Sequence, residues 1–321
     1  MSEFKCKYCG KEYKTEGWYK KHLKKHEENK VVSVVNQIQE SGATKEEKLE
    51  AMYDAHRRFN ESLQDLDSSR QRVDFDVDSD FIAVVGVSDL HYGNVNVNMD
   101  YIERILSFIE NHDRVYCFLN GDILDNWVEI APKGGVYEQT LKPEYQKDIM
   151  VHKLNPIKDK ILAIVTGNHE GRSQKGGHVN PIKTMAEELG VAYLGAGGRL
   201  NLNFGEFLYK LHIRHRFRYE SSFNPCHSCG RLIEQLDADA DIVAIGHKHE
   251  PAVEVRFKAG KQRSFMRFGS ALPSTLYADY LGYGETPMVA PTVILSGDKF
   301  FHQPLIDINI VKTFIRKKQK L

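Results

Sequence analysis

The 321-residue chain has no run of about 18 apolar residues, the length a membrane-crossing helix needs, so no span and no membrane partner is expected. It also lacks the apolar core of an export signal near Met1, which makes a cytoplasmic location the expectation. Cysteine is scarce, with Cys6, Cys9, Cys117, Cys226 and Cys229 the only five. Two close pairs in a chain without an export signal favour metal or free thiols over disulfides. Net charge is missing as well: Lys+Arg and Asp+Glu both number 44. The whole chain therefore has no general attraction to nucleic acid or membrane, and the distribution of charge matters more. Charged residues at 27% and apolar ones at 41% are ordinary for a globular protein. The length allows a large core domain plus an appendage.

What the chain does have is polar chemistry placed at the ends of apolar runs. Ile161–Val165 reads as a buried strand and runs into Gly167-Asn168-His169-Glu170. Phe81–Val87 ends in Ser88-Asp89-Leu90-His91. Val115–Leu119 ends in Asn120-Gly121-Asp122, and Ile242–Ile245 in Gly246-His247-Lys248-His249. Strand ends are where sites form in open α/β sheets. Carboxylate, amide and imidazole without thiolate make a divalent-metal donor set. On an extended backbone Asp89 and His91 point to one face, and so do His247 and His249. A glycine such as Gly167 lets the chain turn sharply and bring backbone close to a ligand.

In this order the motifs D-x-H, G-D, G-N-H-E, a lone His and G-H-x-H resemble the calcineurin-like metallophosphoesterases, over roughly residues 80–300. The resemblance implies an α/β protein, a four-layer αββα sandwich with two divalent metal ions (of the Mn, Fe, Zn, Ni or Mg class) at the sheet ends. Carried over by motif, Asp89, His91 and His249 hold one metal, and Asn168, His247 and the lone His the other. Asp122 bridges the two. It further implies hydrolysis of a phosphate ester by metal-activated water, with His169 protonating or stabilising the leaving oxygen. Glu170 is expected to orient His169, and Asp125 to stand behind the ligands. The lone His is chosen by strand phase. In Phe207–His215, His215 shares the face of Tyr209, Leu211 and Ile213, whereas His212 shares the basic face and reads as a surface residue. Arg172 and Arg216 lie just past two strand ends and suit phosphate oxygens. The protein Ser/Thr phosphatase branch carries Arg-Gly where this chain has Asn126-Trp127, which argues against that branch. The loop 126–142, with Trp127 and Lys133-Gly134-Gly135, is expected to wall the substrate side.

A second pattern lies near the N-terminus. Cys6 and Cys9, then His22 and His26, have zinc spacing. Phe4, Tyr13 and Tyr19 fall where a two-Cys/two-His finger, a ββα unit, places its small core. So short a segment needs one structural zinc ion to fold. Its first 26 residues hold eight Lys against three Glu, a net of +5, which suits a phosphate backbone and makes nucleic acid the expected partner. Thr15, Trp18 and Lys21 occupy its base-reading positions. A protein-binding finger is the rival reading.

These signals divide the chain into a zinc finger (1–28), a helical connector (29–78), a phosphoesterase domain (79–303) and a basic, disordered tail (304–321). Thr44 with Glu47 is a capping box. Leu49, Met52, His56, Phe59, Leu63 and Leu66 follow helical spacing. Residues 45–70 thus suit a short coiled coil between two copies or docking on the enzyme domain, the latter fitting better with under three heptads. Asp74 to Asp80 reads as an edge strand or linker. Tyr101–Asn111 reads as a helix crossing between the Asp89 and Asp122 strands. Cys226-x-x-Cys229 reads as a helix start rather than a zinc site, and Tyr277, Tyr280 and Tyr283 as rim residues. The function expected is a dinuclear phosphoesterase acting on nucleic acid, as a nuclease or DNA-end phosphatase. The alternative is a small-molecule phosphodiesterase or protein phosphatase with a protein-binding finger.

Overall fold

The apolar runs become strands in the computed structural model, which describes residues 4–6, 9–13, 16–64, 70–75, 79–128, 139–175, 179–273 and 285–318. The chain divides into two compact units, Met1–Gln71 and Arg72–Leu321. In the first, strands β1 (Phe4–Lys5) and β2 (Glu12–Tyr13) pair antiparallel ahead of helix α1 (Glu16–Glu40). The boundary drawn at residue 28 falls inside α1, which runs unbroken for 25 residues. No Gly or Pro interrupts the chain between Trp18 and Glu40, so nothing local stops the finger helix until Ser41-Gly42. Helix α2 (Lys45–Gln64) follows. It begins with the expected capping box: the Thr44 N–H donates to Glu47 Oε2 at 2.8 Å and the Glu47 N–H to Thr44 Oγ1 at 3.3 Å. Lys48 Nζ donates back to Gln39 O at 2.9 Å, tying α2 to the end of α1. Ala55 is buried while Leu49 and Tyr53 remain exposed, so α2 keeps apolar surface for a further contact.

The second unit is built on two facing sheets. One has the order β13-β12-β4-β5-β6. Its strands are β4 (Phe81–Val87), β5 (Val115–Asn120), β6 (Ile161–Val165), β12 (Thr292–Ser296) and β13 (His302–Leu305). β4, β5 and β6 run parallel, and β12 and β13 close the edge antiparallel. The other sheet has the order β10-β11-β9-β8-β7-β3. It consists of β3 (Arg70–Phe75), β7 (Gly197–Phe204), β8 (Phe207–Arg214), β9 (Ile242–Ile245), β10 (Ala252–Lys258) and β11 (Lys261–Arg267). The core between them takes alternate residues: Leu200, Leu202, Tyr209, Leu211, Ile213, Ile242 and Ala244 against Ile82, Val84, Phe118, Val165, Val293 and Leu295. Period-2 side chains on both inner faces make this packing possible.

Helices cover the outer faces, completing the sandwich. α3 (Met99–Glu110) crosses from β4 to β5, buries Ile102, Ile105, Leu106 and Ile109, and starts where Asn98 Oδ1 accepts the Tyr101 N–H at 2.8 Å. α4 (Pro143–Leu154), α5 (Asn168–Lys175) and α6 (Pro181–Leu189) come next along the chain. α7 (His227–Gln235) lies on the six-stranded sheet, where Cys226, Cys229 and Leu232 pack with Val243, Ile245 and Phe265. The paired cysteines thus open a helix, as expected.

Three expectations need correction here. The segment 304–321 is not a disordered tail in its described part. It completes β13 and forms α8 (Ile308–Lys318), which buries Ile308, Val311 and Ile315. An apolar stripe at helical spacing outweighed the lysines, and Phe314 meets Phe81 with ring centroids 5.0 Å apart. β3 belongs to the six-stranded sheet as its edge strand, so the connector's end at 78 overruns it. His212 is not at the surface. It is 5% exposed and its Nδ1 lies 2.8 Å from Asp237 Oδ2, a carboxylate that Arg199 also grips. The turn after α7 brings Asp237 onto that face of β8. Thr15, Lys133 to Gly135 and Tyr277, Tyr280 and Tyr283 lie outside the described residues, as do the side chains of Trp18, Lys21, Phe59 and Leu63. Among the described residues no helix is long and apolar enough to cross a membrane.

Candidate metal centre

The loops after β4, β5, β8 and β9 meet at one end of the sandwich. Their backbone is not extended there. Asp89 (φ 53°), His91 (φ 48°), Asp122 (φ 48°), His247 (φ 78°) and His249 (φ 57°) are all left-handed, a conformation that non-glycine residues avoid. The side chains reach one site because the chain curls, not because it alternates. The curl after β4 is fixed by its neighbour: the Asp89 N–H donates to Gly121 O at 3.0 Å and the His91 N–H to Asp122 O at 2.9 Å. Each such residue stores on the order of 1–3 kcal/mol, and strain of this kind persists where the surroundings over-determine it.

Among the described residues three donor groups result here: Asp89, His91 and His249 form the first, Asp122, His215 and His247 the second, and Asp125 and His169 share His91 in a third. His91 Nε2 and His249 Nε2 lie 3.1 Å apart, and His249 Nε2 lies 3.2 Å from Asp89 Oδ1. In the second group His215 Nε2 stands 3.1 Å from Asp122 Oδ2 and 3.0 Å from Asn168 Oδ1, while its Nδ1 is 2.8 Å from Asn120 O. Asp122 Oδ2 is also 4.0 Å from His91 Nε2, which places this carboxylate between the groups. All seven residues expected as ligands from the sequence are therefore gathered.

The residues fit divalent cations. Burial and the neighbouring His169 hold His91 well below its ordinary imidazole range, so it stays a neutral donor. Burial opposes ionisation of Asp122, yet His215 and His169 outweigh it and hold the carboxyl well below its ordinary range. Burial likewise opposes charge on His215, but Asp122 and Asp89 push it up to about 10. A buried pocket that recruits a proton between its carboxylates is one that demands positive charge. Two imidazole nitrogens facing each other at 3.1 Å make the same demand.

Glycines let these loops interlock. A Cβ on Gly121 would lie 2.6 Å from Gly167 N and 2.8 Å from His215 Cγ. One on Gly246 would lie 2.5 Å from Ser88 Oγ and 2.7 Å from Asp89 Oδ2. Glu170, expected to orient His169, does something else. Its Oε2 accepts the Asp122 N–H at 3.1 Å and the Gly167 N–H at 3.0 Å, and its Oε1 accepts the Leu124 N–H at 2.9 Å. It thus ties the β5 loop to the start of α5. His169 is held by other atoms: its Nδ1 lies 2.7 Å from Asp125 O, and its N–H donates to Asp122 Oδ1 at 2.8 Å. Asp125 Oδ1 stands 3.7 Å from both His91 Nδ1 and His169 Nδ1, behind the ligands as expected.

Asn126 is a site residue that the sequence did not announce. Its Nδ2 donates to His169 O at 2.7 Å and to Ser173 Oγ at 3.0 Å, clamping α5 from the opposite loop. No spacing rule marks such a residue; the one signal was its departure from Arg-Gly. Arg172 lies over the Trp127 ring at 4.2 Å, with Nη1 3.1 Å from His169 Nδ1. Trp127 stands edge-on to His169 at 5.8 Å, so the described part of the loop does wall the site. Arg216 is exposed beside His215.

In the N-terminal unit, Cys6, Cys9, His22 and His26 also converge on a metal-sized space. Cys9 Sγ and His26 Nε2 each lie 3.0 Å from His22 Nε2. The Gly10 N–H donates to Cys6 O at 2.8 Å, making the tight turn around the cysteines. Phe4 stacks on Tyr19 at 5.6 Å, and Tyr13 meets His22 at 4.9 Å. The expected small core forms.

Histidine–carboxylate groups at the strand ends of an αββα sandwich define a metal-dependent phosphoesterase. The chain belongs to the calcineurin-like phosphoesterase family, whose model matches residues 82–251, more than half of its length. It is a hydrolase of phosphoester bonds. No curated protein matches it. Among solved structures it is similar to the protein of unknown function AQ665 from Aquifex aeolicus. The identity is 14% over 52% of this chain and 80% of that one, with a TM-score of 0.29.

Proposed function

We propose that the phosphoester hydrolysed is part of a nucleic acid and that the finger tethers the strand. The observation that supports this is one chain carrying both a phosphoesterase centre and a finger with a net of +5 over residues 1–26. Lysines placed on phosphates release counterions, which yields sequence-independent affinity suited to a tether.

In this reading Asp89, His91 and His249 would hold one divalent cation and Asn168, His215 and His247 a second, with the Asp122 carboxylate near both. When bound, such a pair would lower the pKa of a water and screen charge on the phosphoryl group. The protein supplies the rest. His169 donates its Nδ1–H to the Asp125 carbonyl and is held toward its neutral form by burial, so Nε2 faces the leaving oxygen bare and supplies a proton only from the imidazolium form. Arg172, flattened on Trp127, offers its guanidinium edge to a non-bridging oxygen, and Arg216 flanks it from the β8 end. Glu170 and Asn126 keep the β5 loop and α5 in register, so that His169 and Asp122 stay mutually placed. One structural zinc on Cys6, Cys9, His22 and His26 holds the finger.

The test is Mn²⁺-dependent turnover of single-stranded DNA, a 5′-labelled duplex and an aryl phosphodiester, with His169→Ala and Asp122→Asn as controls. DNA cleavage lost in both variants is the expected result. Turnover of the aryl ester alone would overturn the nucleic-acid assignment and move the substrate to a small phosphodiester or a phosphoprotein, with the finger then binding protein.

A further inference from the structure

The opposite end of the six-stranded sheet carries a cavity that the metal chemistry does not use. It is a cleft open to solvent, of about 430 Å³, between the first residues of β8, the approach to β9, the β10–β11 hairpin and the start of β13. That volume is in the range of small-ligand sites. From Leu208 to His215 β8 spans roughly 23 Å at 3.3 Å per residue, so a ligand here is out of reach of the metal centre.

Three features set its chemistry. Phe300 is half exposed and lies flat on Tyr209, with centroids 4.9 Å apart and planes within 8°. The Tyr209 hydroxyl pins that ring by donating to Ser296 O at 2.7 Å. Phe257, 77% exposed, stands on the hairpin across the mouth. Two phenylalanines left in water around one cavity are a surface awaiting a flat partner. Charge comes from Lys261, while Lys210, also on the wall, has its Nζ 3.8 Å from Asp239 Oδ2. The one carboxylate on the wall, Asp241, is already engaged: its Oδ2 accepts the Lys210 N–H at 3.0 Å and its Oδ1 lies 3.6 Å from Arg263. Finally, the His302 ring forms part of the wall. Its Nδ1 is 2.8 Å from Ser264 Oγ, while its buried Nε2 has no hydrogen-bond partner among the described residues.

We propose that this cavity binds a nucleotide, with the aromatic base on Phe300 and Phe257 and the phosphate on Lys261. Stacking on an aromatic ring accepts any base, and lysine meets phosphate as a point charge. The nucleotide is either a free monophosphate or one unit of a single strand. The cavity shares no residue with the finger or the metal centre, so its role survives or fails independently of the substrate assigned above.

The experiment uses full-length, metal-loaded His169→Ala protein, so that probes are not consumed. Fluorescence anisotropy with etheno-AMP and with a labelled short oligothymidylate is measured in this background and after adding Phe300→Ala or Lys261→Glu. Both side chains are solvent-facing, and each substitution alone in the native chain leaves aryl phosphodiester turnover unchanged, which reports an intact fold. Etheno-AMP binding is expected to weaken by about tenfold or more in each. A parallel loss of oligothymidylate binding assigns the site to a strand, and retained oligothymidylate binding assigns it to free nucleotide. Etheno-AMP binding that is absent at roughly millimolar concentration, or equal in all three proteins, overturns the proposal. So does displacement by inorganic phosphate as effective as by AMP, since stacking would then contribute nothing.

Discussion

Replacing Gly121 by alanine tests how the metal centre is held together, because the structure supplies its own control. Gly121 has φ 84°, and a Cβ there would fall 2.6 Å from Gly167 N, 2.7 Å from Gly167 Cα and 2.8 Å from His215 Cγ. Ordinary contacts of a Cβ begin near 3.4 Å, so something must move by more than half an ångström. Neither neighbour is free to do so. Gly167 is fixed through its N–H to Glu170, and His215 through Asn120, Asn168 and Asp122. Gly190, at the end of α6, has φ 71° and nothing within 4 Å of an added Cβ. Gly190→Ala therefore carries only the left-handed backbone cost, about 1–2 kcal/mol. Gly121→Ala adds overpacking, roughly another 1–3 kcal/mol, for a total of about 2–5 kcal/mol. Urea denaturation of both variants under chelation, followed by circular dichroism with unchanged m-value, measures the difference. Metal content should fall in Gly121→Ala and not in Gly190→Ala, since the displaced backbone carries Asp122 and Asn168. Equal destabilisation by the two substitutions would refute the close-approach argument.

The same geometry separates other roles. His169→Ala should keep full metal content while turnover of an aryl phosphodiester falls by about 10²–10⁴-fold, whereas Asp122→Asn should lose metal together with turnover; metal analysis beside the rate distinguishes them. Cys6→Ala should remove the finger's zinc and its fold, with aryl phosphodiester turnover unchanged and DNA affinity reduced, as read by zinc content and a salt-dependent gel shift. For His302, burial and then Arg263 hold the imidazole down to about 4 from its ordinary 6.5. The unfolded chain takes up a proton below 6.5 and the folded one does not, so stability present above that pH is lost as pH falls toward 4. Urea titrations at pH 7 and pH 5 should show the native protein losing about 2 kcal/mol that His302→Leu retains.

The site was legible where chemistry follows directly on an apolar run. Asp89, Asp122, Asn168 and His247 each sit just past a buried strand, and parallel strands must bring such ends together. His215 was separable from His212 by strand phase alone. The phase argument failed for His212 itself because it took the second face of β8 to be solvent. Whether a sheet face is covered depends on a distant segment, here the turn that carries Asp237, and no local pattern carries that. The left-handed ligands were likewise invisible. Asp and His tolerate that conformation, but the demand for it comes from the adjoining loop, as in the bond from the Asp89 N–H to Gly121 O. Glu170 was misassigned for a related reason. Adjacency in sequence to His169 suggested a pair, while the helical start of α5 turns successive side chains about 100° apart and sends the carboxylate toward the β5 loop. In the C-terminal segment lysines masked an apolar stripe that was present at Ile308, Val311 and Ile315.

One consequence follows from the unbroken course of α1. The zinc-side histidines and the end of the helix share one rod, so from His26 to Glu40 the distance is set at about 21 Å by the rise of the helix. A tether on a flexible chain spreads its cargo over a wide volume, and its effective concentration decays with length. The rod instead fixes the separation of the finger from the turn at Ser41-Gly42 within the same unit. Removing a single residue between His26 and Glu40 would also turn the finger by about 100° around the axis. Length and rotational phase are thus coupled in this unit, and a deletion that restores the phase, about seven residues, is the one that would change reach alone.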